Sequence, residues 1–389
     1  MTKFIMKQRK ANKKKPPHSD ARSNFNQWRV AVLANMFYDR LNPDDPPDKG
    51  GDYDSPETIN RICEIIRKEG HTVQFIQANR SLPQRIMEFK PDICFNISEG
   101  IEGDSREAQV PGFLELLGIP YTGSRVLANG IALDKPLTKT IWAAAGLPVA
   151  LSQSMFDINE PLNPGLEFPL IVKPSHEGTG MGLDPNSLVR NESQLREQVS
   201  KIIIRYRQPA LVEKFLPGRE FTIGIMGHPG ANVRRPDFYE PDGFHRFPIV
   251  EVFAPTSEVG ICDFTIKHND TDKATVAELT SEFREQLYDL VLKGHKAIGA
   301  LDISRTDVRC DENGDPYLLE INPLPGLSNG SYFTYMARFS NLSIETLVLE
   351  ILHLGAERYG LEQTSAFPLR AEYPLHQVDR IRANQLSAM

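Results

Sequence analysis

The sequence predicts an α/β protein of two or three domains that opens on a Rossmann-like parallel sheet. Three observations carry that reading. The 389 residues exceed what one small core holds. Between Trp28 and Ile97, short apolar runs alternate with an amphipathic stretch, the pattern of βαβ units. From Asp302 to Gly326, two strand-like runs flank Asp311-Glu312-Asn313-Gly314-Asp315 and read as an antiparallel hairpin.

In chain order, Arg29–Met36 (RVAVLANM) is a buried parallel strand. The Tyr38–Tyr53 loop, rich in Pro, Asp and Gly, is long for a βα connection and either moves or covers a site. Ser55 and Pro56 start a helix with Ile59, Ile62, Ile65 and Ile66 on its inner face, and Gly70 ends it. His71–Gln77 and Pro91–Ile97 are the next strands. Ligands of such sheets bind beyond the carboxyl ends of the strands, so Tyr38–Tyr53 and Ser98–Arg106 flank the expected substrate mouth. Further on, Leu133–Gly146 reads as one helix, Phe168–Pro174 as a strand and His176–Gly182 as a glycine-rich turn. Asn191–Tyr206 is a helix with Asn191 and Gln194 placed like a capping box. Ala210–Leu216, Phe221–Met226 and Pro248–Phe253 are strands, and Thr280–Ile298 and Ser343–Tyr359 are helices.

Charge and composition narrow the function classes. The net charge of −7 gives no support for nucleic-acid binding. No apolar run reaches the length of a membrane span, and the basic N-terminus lacks the apolar segment of a secretory signal. Cys63, Cys94, Cys262 and Cys310 are scattered, as reduced structural thiols of a cytoplasmic protein would be. The basic residues 1–25 read as a disordered tail rather than a phosphate- or membrane-binding arm.

The hairpin carries the strongest chemical signal. Period-two alternation sets Arg305 and Asp307 on one strand and Glu320 and Asn322 on the next, on one face. Two carboxylates and an amide oxygen suit Mg²⁺, which shares its oxygen ligands with phosphates. Arg305 is suited to neutralise charge on a phosphoryl group or oxyanion. Weaker motifs agree with an ATP site. Lys173 precedes Gly178, Gly180 and Gly182, whose backbone N–H groups are free to meet phosphate, although this is no Walker A loop. Lys135 and Lys139 share a helical face and offer one phosphate contact, or simply solvated charges. Glu213 and Glu220 are suited to adenine and ribose, or are surface acids. Lys267 and His268 fall in a loop that could close over a γ-phosphate.

From about Pro91 to Gly360 the chain resembles the D-alanine–D-alanine ligases of the ATP-grasp superfamily. The motifs GFLELLGIPYTGS (Gly112–Ser124), LDKPLTK, the Lys173 loop, EKFLPGREFT (Glu213–Thr222) and LLEINPLPG (Leu318–Gly326) stand in that family's order. The resemblance implies a Rossmann-like domain followed by a two-lobed ATP-grasp module, α+β in its ATP-binding part. The expected divisions are a tail at 1–25, a substrate domain at 26–124, a central lobe at 125–219, a C-terminal lobe with the metal site at 220–360 and a loosely packed tail at 361–389. It implies ATP and two Mg²⁺ ions, with Mn²⁺ as a substitute, and it suggests a homodimer. By position it makes Lys135 and Lys173 phosphate contacts, Glu177 and Thr179 part of the loop over the nucleotide, and Glu213, Lys214 and Leu216 the adenine segment. Glu220 becomes the ribose acid, and Lys267 the lysine that closes over the γ-phosphate. Asp307, Glu320 and Asn322 become the metal ligands. Arg305 and the backbone of Gly326 stabilise the tetrahedral intermediate, and Ser331 contacts the second amino acid's carboxylate. The implied activity joins a carboxylate, activated as an acyl phosphate, to an amino acid or peptide amine.

The departures from the family lie on the substrate side. The usual N-terminal glutamate that holds the first ammonium is not visible; Asp54 or Glu57 is its candidate replacement, with a helix-dipole role as the alternative for Glu57. Ser98-Glu99-Gly100, followed by Glu102 and Asp104, replaces a His-Gly segment. His268 replaces a tyrosine, which keeps a D-hydroxy acid acceptor open. A nucleotide-binding regulatory protein without ligase activity is the alternative from another class.

Overall fold

Residues 27–36, 45–46, 48–231, 235–253 and 273–361 are described by the computed structural model. The basic tail, Lys267, His268, Cys262 and the tail beyond Leu361 lie outside them.

Strands β1 (Arg29–Ala34), β2 (Thr72–Gln77) and β3 (Ile93–Ile97) form the expected parallel sheet, in the order β2-β1-β3. Helix α1 (Pro56–Lys68) covers one face and α2 (Leu82–Phe89) and α3 (Gln109–Leu117) the other. Ser55 caps α1 by accepting from the Thr58 N–H at 3.2 Å. Trp28 stacks on His71, with ring centroids 5.0 Å apart, and belongs to a core that runs from this sheet into the C-terminal helices.

The single helix expected over Leu133–Gly146 is two. Helix α4 (Val126–Leu133) ends, and α5 (Lys135–Ala144) begins, at Asp134. Asp134 is extended and its carboxylate accepts from the Leu137 N–H at 2.9 Å, so it caps α5, with Pro136 in the first turn. The consequence is positional: the Lys135 N–H bonds to Ser175 O, which fixes the start of α5 against the end of a strand in the next sheet.

That sheet is antiparallel, in the order β4-β7-β5-β6, built from β4 (Ser152–Met155), β5 (Leu170–Pro174), β6 (Leu188–Val189) and β7 (Ala210–Lys214). Helix α6 (Glu192–Tyr206) packs on it through Leu195, Val199 and Ile202. Asn191 caps α6, while Gln194 reaches back to the Arg190 N–H, one residue earlier than a full capping box requires.

The third sheet joins β8 (Glu220–Gly227), β9 (Phe244–Arg246), β10 (Val250–Phe253), β11 (Lys273–Val276), β12 (Asp302–Cys310) and β13 (Pro316–Asn322). Phe221, Ile223, Ile225 and Val308 turn one face toward α7 (Ser281–Ile298), and Trp142 of α5 is fully buried in the same core, donating from Nε1 to Gly294 O at 3.0 Å. Helices α8 (Tyr332–Phe339) and α9 (Ile344–Arg358) complete the core shared with β1 and α1. Among the described residues, no helix is long and apolar enough to cross a membrane.

Candidate active site

The polar face of the third sheet forms one wall of a cleft. Antiparallel register sets Arg305 opposite Asn322 and Asp307 opposite Glu320, so the four side chains read from alternation do meet. A bulge just after Asp307 interrupts the pairing at that corner. On the other side of β12, Asp307 faces Thr222 and Arg309 faces Glu220. Asp307 accepts from the Thr222 hydroxyl at 2.6 Å and from Arg305 through two bonds of 3.1 Å. Arg309 bonds Glu220 at 2.9 Å. Burial works against the Arg305 charge, but Asp307 outweighs it and holds the guanidinium firmly protonated.

The opposite wall comes from α5, β5 and β7. Lys135 lies 3.3 Å from Glu320 and also donates to the Glu177 carbonyl. Lys139 and Lys173 both hold Glu213, at 3.0 and 3.3 Å, with the acid only 1% exposed. Burial alone would raise the Glu213 carboxyl; the two lysines overcome it and hold it below the usual range. Burial pushes Lys139 down, whereas Glu213 and Glu320 outweigh burial at Lys173 and keep it charged. Lys135 and Lys139 are therefore buried and paired, not solvated charges.

The glycine-rich turn closes the cleft. Thr179, Gly180 and Gly182 all have positive φ. A Cβ at Gly182 would stand 2.3 Å from the ring of Pro174, so only glycine lets the turn fold back on β5. Glu177 is held by Arg106 at 3.1 Å and Gln208 at 2.8 Å. The remaining expected residues divide. Leu216 is buried just beyond the end of β7, while the Lys214 side chain is exposed, as strand alternation from Glu213 requires. Ser331 caps α8 and its hydroxyl donates to Gly326 O. The Asn322 oxygen accepts from the Leu324 N–H at 2.7 Å. Glu57 is exposed in the first turn of α1, whereas Asp54 is largely covered beside Asp52.

Sequence reasoning missed Thr222, Arg309 and Arg106. The first two carried a signal: Glu220 and Thr222 alternate on one strand, as Arg305, Asp307 and Arg309 do on another. Arg106 carried none, because its partners Asp52, His176 and Glu177 lie far away in the chain.

The family model described as D-ala D-ala ligase C-terminus matches residues 141–353. A D-alanine–D-alanine ligase of Citrifermentans bemidjiense is 33% identical over 299 residues, covering 76% of this chain and 89% of that one. The uncharacterized protein y4sG of Sinorhizobium fredii is 30% identical over 309 residues, covering 77% of this chain and 87% of its own. The crystal structure of D-alanine–D-alanine ligase from Bacillus anthracis complexed with ATP superposes with a TM-score of 0.66 at 22% identity, covering 86% of this chain and 99% of that one. By sequence and by fold, the chain belongs to the D-alanine–D-alanine ligase family, with its ATP-grasp architecture.

Proposed function

We propose that the chain is an ATP-dependent ligase that activates one substrate's carboxylate and joins it to the amine of a second. The observation that carries this reading is the pairing of Arg305 and Asp307 with Asn322 and Glu320, across a cleft from Lys135 and Lys173. ATP is the substrate suited to that cleft. The family resemblance assigns Glu213, Lys214 and Leu216 to the adenine segment, Glu220 to the ribose, and Glu177 and Thr179 to the turn over the phosphates; Glu220 and Glu177 line the cleft. Lys267 is assigned by position alone.

A substrate carboxylate attacks the γ-phosphorus, and ADP leaves. Lys135 and Lys173 offset charge on the transferring group, which is most of what such a transfer asks of a protein. The second substrate's amine then attacks the acyl carbon, loses its proton, and inorganic phosphate departs. Arg305 and the Gly326 N–H are suited to hold the oxyanion between these events. Ser331, at the start of α8, is suited to the second substrate's carboxylate. The donor set of Asp307, Glu320 and Asn322 fits a hard divalent cation, Mg²⁺ or Mn²⁺, which would supply charge neutralisation for the phosphates.

The test is mass spectrometry of products formed from ATP, Mg²⁺ and a pooled panel of D- and L-amino acids, short peptides and D-hydroxy acids. A mass equal to two components less water, with ADP, supports the reading and distinguishes amine from hydroxyl acceptors. Arg305→Met should lower kcat by about 100- to 1,000-fold. Retained turnover in Asp307→Ala and Glu320→Ala would refute the assignment of this corner.

A further inference from the structure

The glycine-rich turn is gripped at both ends by side chains from the N-terminal part of the chain, to which the reaction above gives no task. At its start, Arg106, on the short 3-10 turn Arg106–Ala108, donates to the His176 carbonyl at 2.8 Å. The same guanidinium pairs with Glu177 at 3.1 Å and with Asp52 at 3.0 Å. At its end, the Gly182 N–H donates to the Asp48 carboxylate at 2.7 Å. Tyr206, the last residue of α6, donates its hydroxyl to that carboxylate at 2.9 Å. Asp48 is 7% and Arg106 8% exposed, so water competes little for these bonds.

Two further observations make the grip a positioning device. Asp48, Arg106, Glu177 and Tyr206 line one cavity of about 890 Å³, so turn and N-terminal segment meet through polar bonds around an open space. Between its anchored ends the turn carries its own bonds, from the Met181 N–H to Gly178 O at 2.9 Å and from the Leu183 N–H to Gly180 O at 3.1 Å. It therefore keeps its shape, and the anchors set its place. The start has additional holds in Gln208 and Lys135, whereas Asp48 is the acceptor for the Gly182 N–H.

We propose that Asp48 and Arg106 are positioning residues that strap the glycine-rich turn down over the phosphates, so that the N-terminal segment sets the affinity for the triphosphate. This rests on the ATP reading for the identity of the ligand, while the strap rests on the contacts alone.

The strap is tested first without nucleotide, by hydrogen–deuterium exchange on the full chain. In Asp48→Ala the amides of residues 178–183 should exchange roughly tenfold faster than in the native chain, the scale of one charge-assisted hydrogen bond, while β5 and α6 are unchanged. Arg106→Met should have a smaller effect of the same sign, since Gln208 and Lys135 remain. Asp48→Asn keeps an oxygen acceptor and should restore most of the protection. Arg106→Lys keeps the charge but not the fork that reaches two acids and a carbonyl, and should not. Thermal melts check that each variant folds. Titration calorimetry with Mg²⁺ then compares a non-hydrolysable ATP analogue with adenosine. Asp48→Ala should weaken the analogue roughly tenfold and leave adenosine nearly unaffected, because the strapped turn meets phosphates and not the base. Unchanged exchange in both Asp48→Ala and Arg106→Met would overturn the strap. Faster exchange with unaltered analogue affinity, or an equal loss for adenosine, would overturn its role in holding the triphosphate. Failure of the native chain to bind the analogue counts against the ATP reading, while the exchange data still decide the strap.

Discussion

Lys139 meets Glu213 behind the cleft, with both side chains buried. Lys139→Met strips one of two cations from a carboxylate that water barely reaches. Because Lys173 remains, the cost should sit near the low end for a broken buried pair, about 3 kcal/mol by urea denaturation. Glu107 obeys the opposite sign. Its folded pKa is raised to about 7 from an ordinary 4.5. Below the lower value the carboxyl is protonated in both states; as pH climbs through the higher one the unfolded chain is favoured, and stability is lost. Glu107→Gln should therefore melt progressively higher than the native chain as pH rises from about 5 to about 8. The same two residues show what single residues reveal in sequence. Arg305, Asp307, Glu320 and Asn322 were legible because alternation alone brings them together. Lys139 was not, since a lysine on a helix reads as solvated until the facing strand is known, and Glu107 lies on a three-residue turn with no periodicity to read.

The glycine-rich turn shows how an element constrains a site. Gly182→Ala forces a Cβ toward the Pro174 ring at a positive φ. The turn must shift, so the KM for ATP should rise while the melting point changes little, because the turn adds few residues to the core. Helix ends behave differently: Ser343 accepts from the Thr346 N–H at 3.1 Å, and Ser343→Ala should cost about 1 kcal/mol with no change in nucleotide affinity. Long periodic elements such as α1, α6, α7 and α9 were legible from apolar spacing and caps. Helices α2, α3 and α8 were not: α2 and α8 are eight residues long, and α3 carries Pro111 and Gly112 in its interior. The break at Asp134 was hidden because Leu133-Asp134-Lys135-Pro136 reads equally as a helix interior and as a cap followed by a first turn.

At the scale of the molecule, one ion pair ties distant parts of the chain. Arg358 of α9 binds Asp302 at 2.7 and 2.9 Å and donates to the carbonyls of Tyr121 and Gly123, while Asp302 also accepts from the Gly123 N–H at 2.8 Å. Asp302 begins the strand that carries Arg305 and Asp307, so the pair connects the N-terminal segment to that strand. Arg358→Met leaves a fully buried acid without its cation and should cost about 3–5 kcal/mol by denaturant titration. The two tryptophans of the chain stand in separate cores, Trp28 under the parallel sheet and Trp142 one helical turn beyond Lys139. The molecule thus has an intrinsic fluorophore in each half. With Trp28→Phe, the remaining emission follows the nucleotide cleft; with Trp142→Phe, it follows the N-terminal sheet. Stopped-flow traces of the two variants would give the order in which the halves respond to their ligands, without any label.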